Sequence, residues 1–155
     1  MISFAEARAL IQKNIRVLPR IDQPIENACG FVLAENMYSP NDFPHEDQSA
    51  MDGYAFCYAD WFDALPLQVK RNKAAGDTNS TMQLEKGEAI RIFTGSVLPI
   101  HADTVVMQEF TECTDGLLAI TNKEIQRGDH IRKKGTQTKR GDLVVEKGTR
   151  ITPAI

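Results

Sequence analysis

The sequence predicts an α+β protein that is mostly β. Three observations lead there. The chain opens with a capped amphipathic segment. Beyond residue 66 its apolar residues gather in short strand-like runs. Glycines punctuate that second half at close intervals, as short strands joined by tight turns require.

Taken in order, Ser3 followed by Glu6 forms a capping box, and Phe4, Ala7, Leu10, Ile11 and Ile15 recur at helical spacing, so a helix should run from Phe4 and end before Pro19. A second short helix is expected from Pro24 through Ile25, Glu26 and Ala28, stopping at Gly30. Phe31, Val32 and Leu33 begin a strand that runs towards Met37 and Tyr38. Residues 39–53 carry Pro40, Asn41, Asp42, Pro44, Asp47 and Ser49, a polar and proline-rich composition that reads as a crossing or linker near a domain boundary. Strands follow at Leu67–Lys70, Ala89–Phe93, Thr104–Gln108, Leu117–Thr121 and Leu143–Val145. Thr152 and Pro153 read as the cap and first turn of another helix, which implies further chain. There is no internal repeat and no low-complexity segment.

With 155 residues the chain can bury roughly 68–70% of its extended surface, enough for a true core. It is 42% hydrophobic and 25% charged, the balance of a globular protein and not of a disordered one. A net charge of −3 argues against nucleic acid as a partner. The densest basic stretch, Arg127 to Arg140, lacks interleaved aromatics and reads as a solvated hairpin, with contact to an anionic ligand as the alternative. Cys29, Cys57 and Cys113 are odd in number and far apart, which fits buried thiols in a reducing compartment better than disulfides or zinc. No apolar run approaches the ~20 residues that span a bilayer, and the N-terminus lacks a signal-peptide pattern, so no membrane partner is expected and the cytoplasm is the expected location.

Phosphate loops of the Walker type, zinc-protease helices and nucleophile elbows are all missing. Two local clusters remain. In SAMDGYA (residues 49–55), Asp52-Gly53 is a favoured turn pair, and small neighbours let other backbone come close. A purely structural turn would account for it. In RIFTGSVLPIHADTVVMQE (residues 91–109), an apolar strand leads into Thr94-Gly95-Ser96, whose hydroxyls and N–H groups could converge on an oxyanion; a polar turn with satisfied hydroxyls explains the same residues. The histidines His45, His101 and His130 have no ligand spacing and read as surface or turn residues, and Trp61 beside Phe62 reads as core or interface.

SAMDGYA, GEAIRIFTGSVLP, ADTVVMQE, RGDHIRKKG and GDLVVEKGTRITP, in this order and spacing, resemble the MoeA family, whose fold is shared by the E domain of gephyrin. IENACGFVLAENMYSPNDFP resembles the family's helix-to-strand entry, so the likeness runs over residues 1–155. It implies a small discontinuous helix and strand domain from residues 1–42 plus 140–155, involved in dimerisation, with a β-rich domain inserted over 43–139. It also implies a molybdopterin molybdenumtransferase, which inserts molybdate into adenylylated molybdopterin with magnesium taking part. The family's site aspartate falls on Asp52 and its site threonine on Thr94. Arg91 and Glu109 lie in matching motifs.

The chemistry suits those assignments. Molybdate and an adenylate phosphate are anions that a bare carboxylate repels, so Asp52 makes sense as a magnesium ligand or a group that orients water. Thr94, Gly95, Ser96 and Arg91 would hold substrate oxyanions. The family's sites lie at a homodimer interface, facing a MogA-like α/β domain and a C-terminal β domain that the 155 residues do not include, so the chain alone is expected to supply half a site. A MogA-like adenylyltransferase is an expected partner. Three departures stand out: Thr136-Gln137 where the family has Glu-Asp after Gly135, His101 where glycine is usual, and Glu46 where an aromatic is usual. A neutral amide weakens a magnesium site, so Gln137 favours an alternative in which the chain is a non-catalytic dimerisation or scaffold module.

Overall fold

A computed structural model describes residues 2–61, 65–70 and 82–155. The chain divides into two compact units, one of residues 1–37 with 145–155 and one of residues 38–144. The chain crosses between them twice. The strands at those crossings, β1 (Met37–Tyr38) and β10 (Leu143–Val145), pair with each other.

In the first unit, α1 spans Phe4–Asn14. Its capping box forms as the sequence predicts: the Ser3 N–H donates to Glu6 Oε2 at 2.7 Å and the Glu6 N–H donates to Ser3 Oγ at 3.3 Å. The helix buries none of its own residues within the chain, and its apolar stripe is open, with Phe4 83% and Ile11 62% exposed. The second predicted helix is a single 3-10 turn over Ile25–Asn27, closed by the Ala28 N–H on the Ile25 carbonyl. The strand expected from Phe31 towards Tyr38 is reduced to a bridge of Val32 with Arg150, separated by bends from β1; Ile151 N–H donates to the Phe31 carbonyl at 2.8 Å and Leu33 N–H to the Thr149 carbonyl at 2.9 Å. Thr152–Ile155 makes one turn, closed by the Ile155 N–H on the Thr152 carbonyl, where a helix start was expected.

The second unit is built on six strands: β3 (Gly53–Phe56), β4 (Leu67–Lys70), β5 (Glu88–Ile92), β6 (Thr104–Met107), β7 (Thr111–Thr114) and β8 (Leu117–Ile120), in the order β6-β3-β5-β4-β8-β7. All pairs are antiparallel except β4 with β5. Side chains alternate across the sheet, so adjacent residues enter different cores. Ala55, Ile90 and Val105 join Leu84 and Leu98 in one cluster, while Phe56, Ala89 and Val106 join Leu67, Leu118 and Ile125 in the other. Burial on both faces is why Ala89-Ile90 on β5 and Val105-Val106 on β6 are adjacent apolar pairs and do not alternate with polar residues. Trp61 packs edge-on against Phe56 and Tyr58 at the rim of the second cluster; its neighbour Phe62 lies outside the described residues.

The stretch expected to be a linker is a hydrogen-bonded part of this unit. Phe43 bridges to Thr138, and β2 (Gln48–Ser49) pairs with β9 (Ile131–Arg132). The basic stretch from Arg127 to Arg140, expected to be a hairpin, instead lies along residues 43–49 as their antiparallel partner. Acidic residues hold it there: Asp47 accepts from the Lys134 N–H and Lys133 Nζ, both at 2.8 Å, and Asp42 accepts from the Arg140 N–H at 2.9 Å. The expectation of buried thiols is corrected. Cys29 sits in an exposed turn, Cys113 on the exposed strand β7, and Cys57 is half-buried; all three are free. No helix among the described residues is long and apolar enough to cross a membrane.

Asp103 ties the start of β6 to two loops. Partial burial pushes its carboxyl up, but the Tyr58 N–H, the Thr104 hydroxyl and the Arg127 guanidinium together outweigh that and hold it below its ordinary value. A depressed carboxyl stabilises the fold above the unfolded pKa, near 3.9, and that stabilisation is lost as pH falls through the folded value. Thermal melts from pH 7 down to pH 3 should therefore show acid destabilisation that is shallower in Asp103→Asn; an unchanged slope would remove Asp103 from that role. At Gly53 the constraint is steric. A Cβ there would lie 1.8 Å from the Val106 carbonyl oxygen. Gly53→Ala should cost about 3 kcal/mol or more, read as a drop in the urea midpoint.

Candidate functional site

The site grows from the entry to β3. Gly53 lies opposite Met107 on β6 and Ile92 on β5, and the bare Cα lets β3 and β6 approach closely. Asp52 therefore emerges at the sheet's end, exposed, with its own carbonyl fixed by the Gln108 N–H at 3.2 Å. Strand β5 leaves the sheet beside it. Two residues later comes the Thr94-Gly95-Ser96 turn, which needs glycine at its centre because φ is +83° there.

These two loops, 42 residues apart in sequence, lock onto each other. The Thr94 N–H and the Thr94 hydroxyl both donate to Asp52 Oδ1, each at 2.8 Å. The Gly95 N–H donates to the Ser49 carbonyl and the Ser49 N–H to the Ser96 carbonyl, both at 2.9 Å. Ser49 is fully buried, and its hydroxyl donates to the Met51 carbonyl at 2.6 Å. SAMDGYA is thus a turn, and one fastened to the Thr94-Gly95-Ser96 loop.

The donors of the second loop are arranged differently from an open oxyanion nest. The N–H groups of Thr94, Gly95 and Ser96 go to Asp52, Ser49 and Phe93 respectively. One donor remains: Ser96 is 5% exposed, and its hydroxyl oxygen is buried with no hydrogen-bond partner among the described residues. Asp52 retains an acceptor of its own, because Oδ2 has no hydrogen-bond partner among the described residues. The Thr94 N–H, then the Thr94 hydroxyl, hold the Asp52 carboxyl below its ordinary value against slight desolvation, and Arg91 adds a favourable charge.

Arg91 points into the chain. Its Nη1 donates to the Gly53 carbonyl at 2.7 Å and to the Ile92 carbonyl at 3.3 Å, and its Nη2 donates to Gln108 Oε1. The guanidinium carbon lies 4.8 Å from the Phe93 ring centroid and 5.4 Å from that of Tyr54. Glu109 is exposed and accepts from Gln108 Nε2 at 3.2 Å. Gln108 was not singled out in the sequence, though it stands inside the ADTVVMQE motif; nothing about a lone glutamine beside a glutamate signals a hub.

Among the described residues no group of three or more His, Cys, Asp or Glu could hold a metal ion. The histidines are turn and surface residues. His101 and His130 adopt φ of +75° and +56°, and exposed His45 packs edge-on against Phe43. A positive φ at residue 101 is the conformation in which glycine is the unstrained choice. Gln137 is exposed on the basic segment, with its N–H on the Phe43 carbonyl.

The family described as the MoeA N-terminal region, domains I and II, matches residues 2–155. A molybdopterin molybdenumtransferase of Haemophilus influenzae is 37% identical, over 99% of this chain and 38% of its own length. A putative molybdopterin biosynthesis protein of Methanocaldococcus jannaschii is 35% identical, over 98% of this chain and 36% of its own. The crystal structure of a molybdopterin biosynthesis protein from Pyrococcus horikoshii superposes with a TM-score of 0.89 at 29% identity, covering 99% of this chain and 42% of that one. The chain thus spans about two fifths of the length of these relatives. With the family matched end to end and the predicted mostly-β fold in place, the chain belongs to the MoeA N-terminal region family.

Proposed function

We propose that the chain supplies the N-terminal portion of a molybdopterin molybdenumtransferase, acting in molybdenum cofactor biosynthesis to insert molybdate into adenylylated molybdopterin. The observation that carries this reading is the asymmetry of Asp52: Oδ1 is held twice by Thr94, while Oδ2 is open at the sheet's end on a carboxylate kept ionised. Such a group can take one position on a divalent cation or orient a water. Magnesium commonly takes one or two protein carboxylates and fills its remaining positions with phosphate oxygens and water, so a single oxygen from Asp52 fits a shared magnesium site and not a closed one. When bound there, the cation would neutralise the molybdate and phosphate charges that Asp52 would otherwise repel.

The neighbouring residues divide the work. Thr94 orients Asp52. Ser96 keeps the one unsatisfied buried hydroxyl of the loop for a substrate oxygen, and Gly95 lets the turn close. Arg91 contributes positive charge beside Asp52 from the protein side. A homodimer belongs to the same proposal, supported by the open apolar stripe of α1, as does a MogA-like adenylyltransferase that delivers the adenylylated substrate. The cytoplasm is the setting in which this biosynthesis and three free thiols are compatible. A second reading, a non-catalytic dimerisation or scaffold module, is favoured by Gln137, the neutral amide at a family carboxylate position.

A chimera separates the two. Residues 2–155 would replace the matching stretch of the Haemophilus influenzae relative, and molybdate-dependent cofactor formation would be assayed. Activity that falls roughly hundredfold in Asp52→Asn supports the site; activity indifferent to that change refutes it. A folded, inactive chimera that regains activity with Gln137→Asp supports the scaffold reading. Ser96→Ala gives a further check, since deleting a buried hydroxyl without a partner should leave the melting temperature unchanged or raised. If Ser96 binds substrate, the same change lowers activity while the fold stands.

A further inference from the structure

We infer that Gln108 is a positioning residue for Asp52, acting through Arg91. The inference deepens the site reading above and rests on it only in calling Asp52 functional; the geometry stands independently.

Four links form a closed ring. The Gln108 N–H donates to the Asp52 carbonyl at 3.2 Å. The Gln108 side-chain oxygen accepts from Arg91 Nη2. Arg91 Nη1 donates to the Gly53 carbonyl at 2.7 Å. Gly53 is covalently joined to Asp52. The two carbonyls of residues 52 and 53 are thereby held by one main-chain N–H and one guanidinium, and the Gln108 amide joins those two holders.

The rest of the amide is anchored too. Nε2 donates to Glu109 Oε1 at 3.2 Å, which fixes the flip state that presents Oε1 to Arg91. A guanidinium is a planar fork, so holding Nη2 sets the direction of Nη1. Tyr54 and Phe93 limit its tilt, since Arg91 pairs with Tyr54 across β3 and β5 and lies near both rings.

The effect on Asp52 is mechanical. Its side chain is attached at the peptide the ring immobilises, and Oδ1 must meet two donors of Thr94 at once. Asp52 and Thr94 are both exposed; register and the Ser49 main-chain bonds bring their loops together, and the ring adds a hold on the peptide that carries the Asp52 side chain. Without the Gln108 acceptor the guanidinium regains rotational freedom, and the Gly53 carbonyl loses a charge-assisted bond. Gln108 need touch neither substrate nor metal to matter.

Amide exchange and chemical shift of the Thr94 N–H, measured by NMR on this chain, read the Asp52 bond directly. Asp52→Asn marks the position of the weakened bond. In Gln108→Leu, which keeps volume and removes the acceptor, protection at Thr94 should fall roughly tenfold and its proton should move towards that position. In Gln108→Glu, which keeps an acceptor for Arg91, both should stay at wild type. Thr94 unchanged in Gln108→Leu would overturn the inference. So would an equal loss in both variants, or a loss at Thr94 matched by the buried amides of Ala55 and Ile90, since either would mean a general packing effect. None of these outcomes depends on molybdenum insertion, so failure here and failure of the chimera are told apart.

Discussion

The close approach of β3 and β6 at Gly53 governs where the carboxylate of this chain comes out. A side chain at that position would collide with the Val106 carbonyl, so the register that sets Gly53 against Met107 admits only glycine. A slip of one residue would also send Ala55 and Phe56 to the wrong faces, into cores already filled by Ile90 on one side and Val106 on the other. Register is therefore doubly determined. With it fixed, the residue before Gly53 must leave the sheet beside the end of β5, and Thr94 must arrive opposite Asp52.

Four aspartates of this chain are fastened in two different ways. Asp42, Asp47, Asp52 and Asp103 are all held below their ordinary values. In three of them both oxygens are engaged. Asp47 takes Lys134 N–H on one oxygen and Lys133 on the other. Asp103 takes Tyr58 and Thr104 on one and Arg127 on the other. Asp42 takes Arg140 N–H on one, with Lys134 3.7 Å from the other. Asp52 alone of the four keeps an oxygen without a partner. Glu6 and Glu88 are likewise held through one oxygen, in a helix cap and beside Lys70, so the open oxygen of Asp52 is available to a cation or a water without by itself marking one.

What the sequence disclosed follows from how local each signal is. The capping box, the strands at Leu67, Ala89, Thr104, Leu117 and Leu143, and the glycine turns all have signatures within a few residues, and each appears where expected. The central strand β3 did not announce itself, because Gly53 and Ala55 are chosen for close approach and not for strand propensity. Strand β7 reads Thr-Glu-Cys-Thr, with no apolar face to betray it, and it lies at the sheet's edge. Cysteine's general preference for burial misled at Cys29 and Cys113, whose places are set by a turn and an edge. The juxtaposition of Asp52 with Thr94 spans 42 residues. No periodicity could join them, and the resemblance to a known family did so instead.

The departure at Gln137 can be placed in the same terms. The segment that carries it is fastened through main-chain groups: Gln137 N–H and Thr138 N–H both reach the Phe43 carbonyl, Gly135 N–H reaches the Pro44 carbonyl, and Asp42 and Asp47 hold the N–H groups of Arg140 and Lys134. The Gln137 side chain takes no part in that fastening, and the residue is exposed. The segment's supports would serve a carboxylate at residue 137, which the family resemblance implies, as well as the amide, and the Asp52–Thr94 pairing forms without either. What the amide sets is charge: one fewer negative group on a segment that already carries Arg132, Lys133, Lys134, Lys139 and Arg140. Two of those cations are met by Asp42 and Asp47. A segment so biased is more hospitable to an anion and less so to a cation than one with aspartate at residue 137.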